Sequence, residues 1–265
     1  MPGPTVVHGE PGIIATGMHR SGTSLLGQTL ASFGFFLGPD LVPAERPNPR
    51  GFFEERSIVK LHAAALRENG TRALDPAMLR ARPPRMTPER AEEAATLMRD
   101  TFGDRSRWAW KDPRASLFLP FWKSMVPQAR FVFAVRDPAL VAWSLLRRGD
   151  RLGVVGPRLR PIRASMKAWA ALNAWWEYNR RIAVFAAANP ERVAVLMTPH
   201  DLRETSRLER VLAGWGFDLD QAGVEARPFE ENLLTSSPPG WLRVLAAGRP
   251  EIQRLHRQLA ALRGS

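Results

Sequence analysis

The segment Ile13-Ile14-Ala15-Thr16-Gly17-Met18-His19-Arg20-Ser21-Gly22-Thr23-Ser24-Leu25-Leu26 constrains the fold more than any other part of the chain. A short apolar run leads through glycines and hydroxyl residues into a helical pattern. Strand, tight turn and helix in that order open an α/β unit, because the helix has to pack back on the face of a sheet. Gly17 and Gly22 permit the tight path and a close backbone approach. The amides of such a turn point inward, and the helix adds the positive end of its dipole. The loop therefore suits a phosphate-type anion, with Thr23 and Ser24 as extra hydroxyl donors.

The rest of the chain extends the same pattern. Further strands are predicted over Phe35–Leu37 (weak), Trp108–Trp110, Arg130–Arg136 and Val193–Met197, after the first at Ile13–Met18. Helices are predicted over Ser24–Phe33, Glu54–Glu68, Pro88–Thr101, Pro138–Arg148, Ala164–Ala188, Leu202–Trp215 and Pro250–Leu262. Strands alternating with helices predict a three-layer α/β fold, P-loop-like, with a central, mostly parallel sheet of about five strands. The 265 residues suffice for one sizeable domain spanning 1–265. Gly149–Arg163 and Phe229–Gly240 show no regular pattern and read either as lids or binding loops or as plain surface loops. Trp169, Trp175 and Trp176 recur at helical spacing and read as core; His8, His62, His200 and His256 read as surface residues.

The spacing Gly-x4-Gly matches a nucleotide-binding loop of the Walker type, but Thr23 stands where that loop needs lysine. The cation sits earlier, at Arg20. A second anion element follows in Arg130-Phe131-Val132-Phe133-Ala134-Val135-Arg136-Asp137-Pro138. Arg136 ends a strand, Pro138 suits the first turn of a helix, and Ser144 follows Arg136 by eight residues. An arginine at a strand end and a serine on the next helix grip one phosphate from two sides. A third strand ends in Lys111-Asp112-Pro113-Arg114, which brings Lys111 to the same crevice.

His19-Arg20-Ser21-Gly22-Thr23-Ser24 resembles the 5′-phosphosulfate loop of sulfotransferases that use 3′-phosphoadenosine 5′-phosphosulfate (PAPS). Arg136 and Ser144 match the spacing of that family's 3′-phosphate pair. Lys111-Asp112-Pro113 is similar to the tyrosylprotein branch, where the lysine stabilises charge on the transferring group. Asn48-Pro49-Arg50-Gly51-Phe52-Phe53-Glu54-Glu55 is similar to an element of the bacterial branch. The resemblance implies sulfuryl transfer from PAPS to a hydroxyl acceptor, without a metal. Its site residues are Arg20, Ser21, Gly22, Thr23, Ser24, Arg136 and Ser144 for the nucleotide. Lys111 and Arg20 are expected to stabilise charge. Glu54 is expected to be the general base, with Glu55 and His19 as rivals. The resemblance covers Ile13 to Ser144. Thr198-Pro199-His200-Asp201-Leu202 departs from the family's Tyr-Glu-x-Leu segment.

Composition narrows the partners. There is no cysteine, which excludes disulfides, thiolate chemistry and zinc–thiolate sites. The net charge of +12 favours acidic partners, yet only four basic residues are lysines, and such an arginine bias also follows from genome base composition. A hydroxyl-bearing saccharide or small metabolite is the expected acceptor, with no nucleic acid as partner. Arg151, Arg158, Arg160 and Arg163 in the irregular stretch suit an anionic one. No apolar run reaches the roughly 20 residues of a membrane span. Met1–Gly12 has no basic-then-apolar leader, so a cytoplasmic, bacterial protein is expected. The alternatives are a nucleotide kinase or other P-loop phosphotransferase, which the missing lysine disfavours, and a non-catalytic binder of nucleotides or polyanions.

Overall fold

A computed structural model describes residues 11–44, 51–81, 83–149, 160–219 and 237–264. Strand β1 (Ile13–Gly17) turns through the glycine loop into α1 (Thr23–Ser32). Helices α2 (Arg56–Glu68), α3 (Pro76–Ala81) and α4 (Pro88–Phe102) lead to β2 (Ala109–Lys111). A 3-10 turn at Pro113–Leu117 and α5 (Leu119–Met125) precede β3 (Arg130–Arg136). Helices α6 (Pro138–Gly149) and α7 (Arg160–Ala187) precede β4 (Val193–Thr198). Helices α8 (His200–Arg203), α9 (Ser206–Gly214), α10 (Gly240–Ala247) and α11 (Pro250–Ala261) follow. Among the described residues, no helix is long and apolar enough to cross a membrane.

Among the described residues, the sheet has four parallel strands in the order β2-β1-β3-β4, where about five are expected. The weak run at Phe35–Leu37 makes only an isolated parallel bridge, Phe36 to Trp108. It is too short to form a ladder, because Gly34 and Gly38, both at positive φ, bend the chain on either side. The helices at Pro76–Ala81, Leu119–Met125 and Gly240–Ala247 have no counterpart in the sequence reading. The helix expected over Leu202–Trp215 is broken at Glu204, whose backbone is extended. Most of Gly149–Arg163 and Phe229–Gly240, including Arg151 and Arg158, lies outside the described residues, as do Asn48, Pro49 and Arg50.

The layers follow from the two-residue period of the strands. Ile13 and Ala15 share a core cluster with Leu26, Leu30, Leu208 and Leu212 on one face. Ile14 and Met18 share the other with α2, α4 and α7, including Leu61, Met98 and Trp175. Both faces of β1 are therefore buried, as its continuous apolar run requires. Trp175 is fully buried, but Trp169 is 49% exposed and does not join the core. Six residues separate the two, which turns Trp169 well away from the face that Trp175 buries.

The register places Gly17, Lys111, Arg136 and Thr198 at one edge. The chain leaves β1 for β2 on one side and places β3 on the other, so the crevice of this open sheet lies above β1. Gly17 stands at its mouth with φ +150, and a Cβ there would lie 2.2 Å from the Ala134 carbonyl oxygen. Gly17→Ala is expected to destabilise the protein by at least about 1–3 kcal/mol. An unchanged denaturant midpoint would show that β1 and β3 do not approach this closely.

Candidate active site

The loop after β1 is a strained turn closed by its neighbours. Ser21 donates its backbone N–H to Met18 O at 3.1 Å. Arg20 has φ 69, a costly conformation for a residue with a Cβ, and Gly22 (φ 88) caps α1 in the left-handed region. Thr198 Oγ1 at the end of β4 donates to Ser21 O at 2.5 Å, which ties the loop to the far strand. The first turn of α1 opens directly behind it.

Three groups converge beside this loop. Arg20 Nε donates to Ser144 Oγ at 2.7 Å. Arg136 Nη1 donates to Arg20 O at 3.3 Å, and Trp175 Nε1 donates to Arg136 O at 2.9 Å. Burial holds the Arg136 guanidinium below its ordinary pKa, the Arg20 charge adds to this, and Asp137 opposes both. Two cations held side by side, one largely buried, form a strong anion site. Arg136 Nε and Ser21 Oγ are buried with no hydrogen-bond partner among the described residues, so both have bonding capacity for a bound group. The sequence reading kept Arg20 and Ser144 at opposite ends of the nucleotide; here one hydrogen bond joins them.

A second cluster sits at the end of β2. Lys111 Nζ donates to Glu54 Oε1 at 2.6 Å, and Arg114 Nη1 lies 3.9 Å from Glu54 Oε2. Lys111 is 1% exposed and Glu54 8%. Burial pulls the lysine below its ordinary pKa, while the Glu54 charge opposes. The adjacent Glu55 points elsewhere. Its Oε2 accepts from Asp40 N at 3.0 Å, and its Oε1 accepts from Ser57 N at 3.3 Å and Ser57 Oγ at 2.8 Å. Glu55 is thus the N-cap of α2, as its position before the helix dictates. His19, the other rival base, lies edge-on to the Tyr178 ring at 6.0 Å.

Several residues of this cluster escaped the sequence reading. Asp112 is fully buried and accepts from Arg114 N at 2.8 Å and Arg114 Nη1 at 2.9 Å. His62, expected at the surface, is fully buried with Nδ1 2.9 Å from Asp112 Oδ2. Its place is set by α2, where Ile58, Leu61, His62, Ala65 and Leu66 form one inward stripe. Tyr178, the one tyrosine of the chain, is buried with its hydroxyl unpartnered among the described residues. Burial pushes that hydroxyl's pKa up, Arg114 opposing, so it stays a donor.

A glycine loop at the mouth of a parallel sheet, with cations from three strand ends, defines an α/β protein with an anion-binding crevice at its strand ends. Residues 11–195 match the model of the sulfotransferase family. The chain belongs to that family. Solved structures agree on the fold. The sulfotransferase domain of the Synechococcus PCC 7002 olefin synthase aligns at TM-score 0.54 and 20% identity, over 97% of this chain and 96% of that one. A sulfotransferase from Alicyclobacillus acidocaldarius aligns at 0.57 and 17%, over 97% and 96%. The sulfotransferase STF1 of Mycobacterium tuberculosis H37Rv aligns at 0.51 and 15%, over 95% and 77%. No curated protein sequence matches the chain.

Proposed function

We propose that the chain transfers a sulfuryl group from PAPS to the hydroxyl of an acceptor. What supports this most is the meeting of Arg20, Arg136 and Ser144 beside the start of α1, with the Glu54–Lys111 pair at the next strand end. Bound there, PAPS supplies an activated sulfuryl group on a phosphate leaving group. The amides of Ser21 to Ser24 and the α1 dipole hold its 5′ side. Arg136 and Ser144 hold its 3′-phosphate. Glu54 accepts the proton of the acceptor hydroxyl. Lys111 and Arg20 stabilise the charge that develops on the transferring group and the leaving oxygen. The base assignment goes to Glu54 because both oxygens of Glu55 are engaged, one capping α2 and the other accepting from the Asp40 backbone.

Binding of the desulfated product, adenosine 3′,5′-bisphosphate, tests the nucleotide assignment directly. Micromolar affinity that needs the 3′-phosphate is expected by calorimetry. Charge-assisted hydrogen bonds to phosphate contribute about 1.5–3 kcal/mol, so Arg136→Ala is expected to weaken the bisphosphate at least tenfold. AMP binding should change little. Equal losses for both ligands would remove Arg136 from the 3′-phosphate.

A further inference from the structure

The Lys111–Glu54 pair is backed by a buried chain of side chains that the proposed chemistry does not use. Trp122 Nε1 lies 2.9 Å from His62 Nε2. An indole nitrogen is only ever a donor, so Nε2 accepts and the imidazole proton sits on Nδ1. That proton points at Asp112 Oδ2, 2.9 Å away. Asp112 Oδ1 holds both the backbone and the guanidinium of Arg114. The same Nη1 of Arg114 reaches toward Glu54 Oε2 at 3.9 Å.

Two neighbouring residues at the end of β2 thus pin α2 at two points. Lys111 takes Glu54, just before the helix, and Asp112 takes His62, within its second turn. His62, Asp112 and Trp122 are all fully buried. Phe118 stacks on the imidazole at 5.3 Å, with Trp110 at 6.0 Å. Among the described residues, the charged groups on the His62 side are Asp112 and, behind it, Arg114; its ring contacts are Trp110, Phe118 and Trp122. Burial alone would raise the Asp112 pKa, but Arg114 and His62 overcome it and hold the carboxyl well below the usual range. A buried carboxylate with both oxygens engaged is held in one arrangement, and a group hung from it inherits that arrangement.

We propose that His62 is a positioning residue for the transfer step: through Asp112 it fixes Arg114, and Arg114 together with Lys111 fixes the carboxylate of Glu54. The proposal rests on the sulfotransferase reading, and its test separates the two. Asparagine places an amide nitrogen near the position of Nδ1, whereas glutamine reaches the position of Nε2. His62→Asn is expected to keep kcat within about threefold, since the bond to Asp112 survives. His62→Gln keeps the Trp122 contact but loses Asp112, and kcat is expected to fall about tenfold or more through misplacement of the base. The KM for PAPS and the affinity for adenosine 3′,5′-bisphosphate should be the same in both. Equal kcat values for the two variants, or losses that track melting temperature or bisphosphate affinity, would overturn the proposal.

Where His62→Gln does not fold, His62→Leu takes its place, because leucine keeps much of the volume but makes no bond to Asp112. A fall of about tenfold in kcat with unchanged bisphosphate affinity is then expected, and a kcat equal to that of His62→Asn overturns the proposal. The 15N spectrum of the imidazole reads the wild-type chain without activity. A proton on Nδ1 is expected; a proton on Nε2 overturns the proposal and leaves the sulfotransferase reading intact. A wild-type protein that binds no bisphosphate and transfers no sulfuryl group overturns both.

Discussion

Glu54→Gln is expected to lower kcat by about 10²–10⁴-fold, the usual effect of removing a general base. The affinity for adenosine 3′,5′-bisphosphate should stay within a few-fold of wild type. Glutamine has nearly the shape of glutamate, so its carbonyl oxygen still accepts from Lys111 Nζ, which lies 2.6 Å from Glu54 Oε1. The shape and the hydrogen bond to Lys111 are kept; the ability to take a proton is lost, and so is the charge opposite the buried lysine, which should show separately as a lower denaturant midpoint. A fall in kcat with binding retained marks a group whose work lies in the transition state. Glu55→Gln is the internal control. Its carboxylate serves Asp40 N, Ser57 N and Ser57 Oγ, so that substitution should cost stability at the start of α2 and little rate. The reverse order of effects would move the base to Glu55. Near-normal turnover in both would direct attention to His19, which lies within the glycine loop and beside Tyr178.

The parts of this site that were legible in the sequence are those set by local rules. Strand β1, its glycine loop and α1 could be read because a strand end, two glycines and a helix start each carry a short-range signature. The eight-residue step from Arg136 to Ser144 could be read for the same reason, since Pro138 fixes where α6 begins. What could not be read depends on how elements pack. Glu54 and Glu55 are adjacent and chemically alike. Only the turn before α2, with Phe53 at φ 54, sends one to Lys111 and the other back to cap the helix. His62 differs from its expected surface place because its position on the helix, not its titratable side chain, decides its burial. Its place on the stripe of Ile58, Leu61, Ala65 and Leu66 was the signal that it points inward. Asp112 and Arg114 stand within Lys-Asp-Pro-Arg, but the histidine they serve lies 50 residues away in sequence from Asp112, a distance no motif spans. The fifth strand failed for an energetic reason. Three residues between two glycines form one bridge, too few to repay the entropy of ordering a ladder.

Lys111→Met is expected to have the other large effect, and on two quantities at once. The side chain is fully buried and its charge is compensated chiefly by Glu54, with Asp112 adding to it and Arg114 opposing. Methionine keeps the volume but leaves the Glu54 carboxylate without its closest cation. Removing one partner of a buried pair typically costs about 3–5 kcal/mol, because the remaining charge is stranded. Turnover should fall as well, by about 10²–10³-fold, the usual effect of losing one preorganised donor to developing charge. The double variant Lys111→Met/Glu54→Gln separates the two effects. With no charge left to strand, it should regain much of the stability, while activity stays as low as in the worse single variant. Denaturant midpoints and kcat measured on the four proteins close the cycle. The pH dependence gives an independent sign. Burial lowers the folded-state pKa of Lys111 below the free-lysine value of 10.5, so between the two the unfolded chain holds more protons. Wild-type stability should therefore gain from this residue as pH rises through that window, and the gain should vanish in Lys111→Met. A double variant as unstable as Lys111→Met would mean that the loss does not come from a stranded Glu54 charge, and the charge balance drawn between β2 and α2 would be wrong.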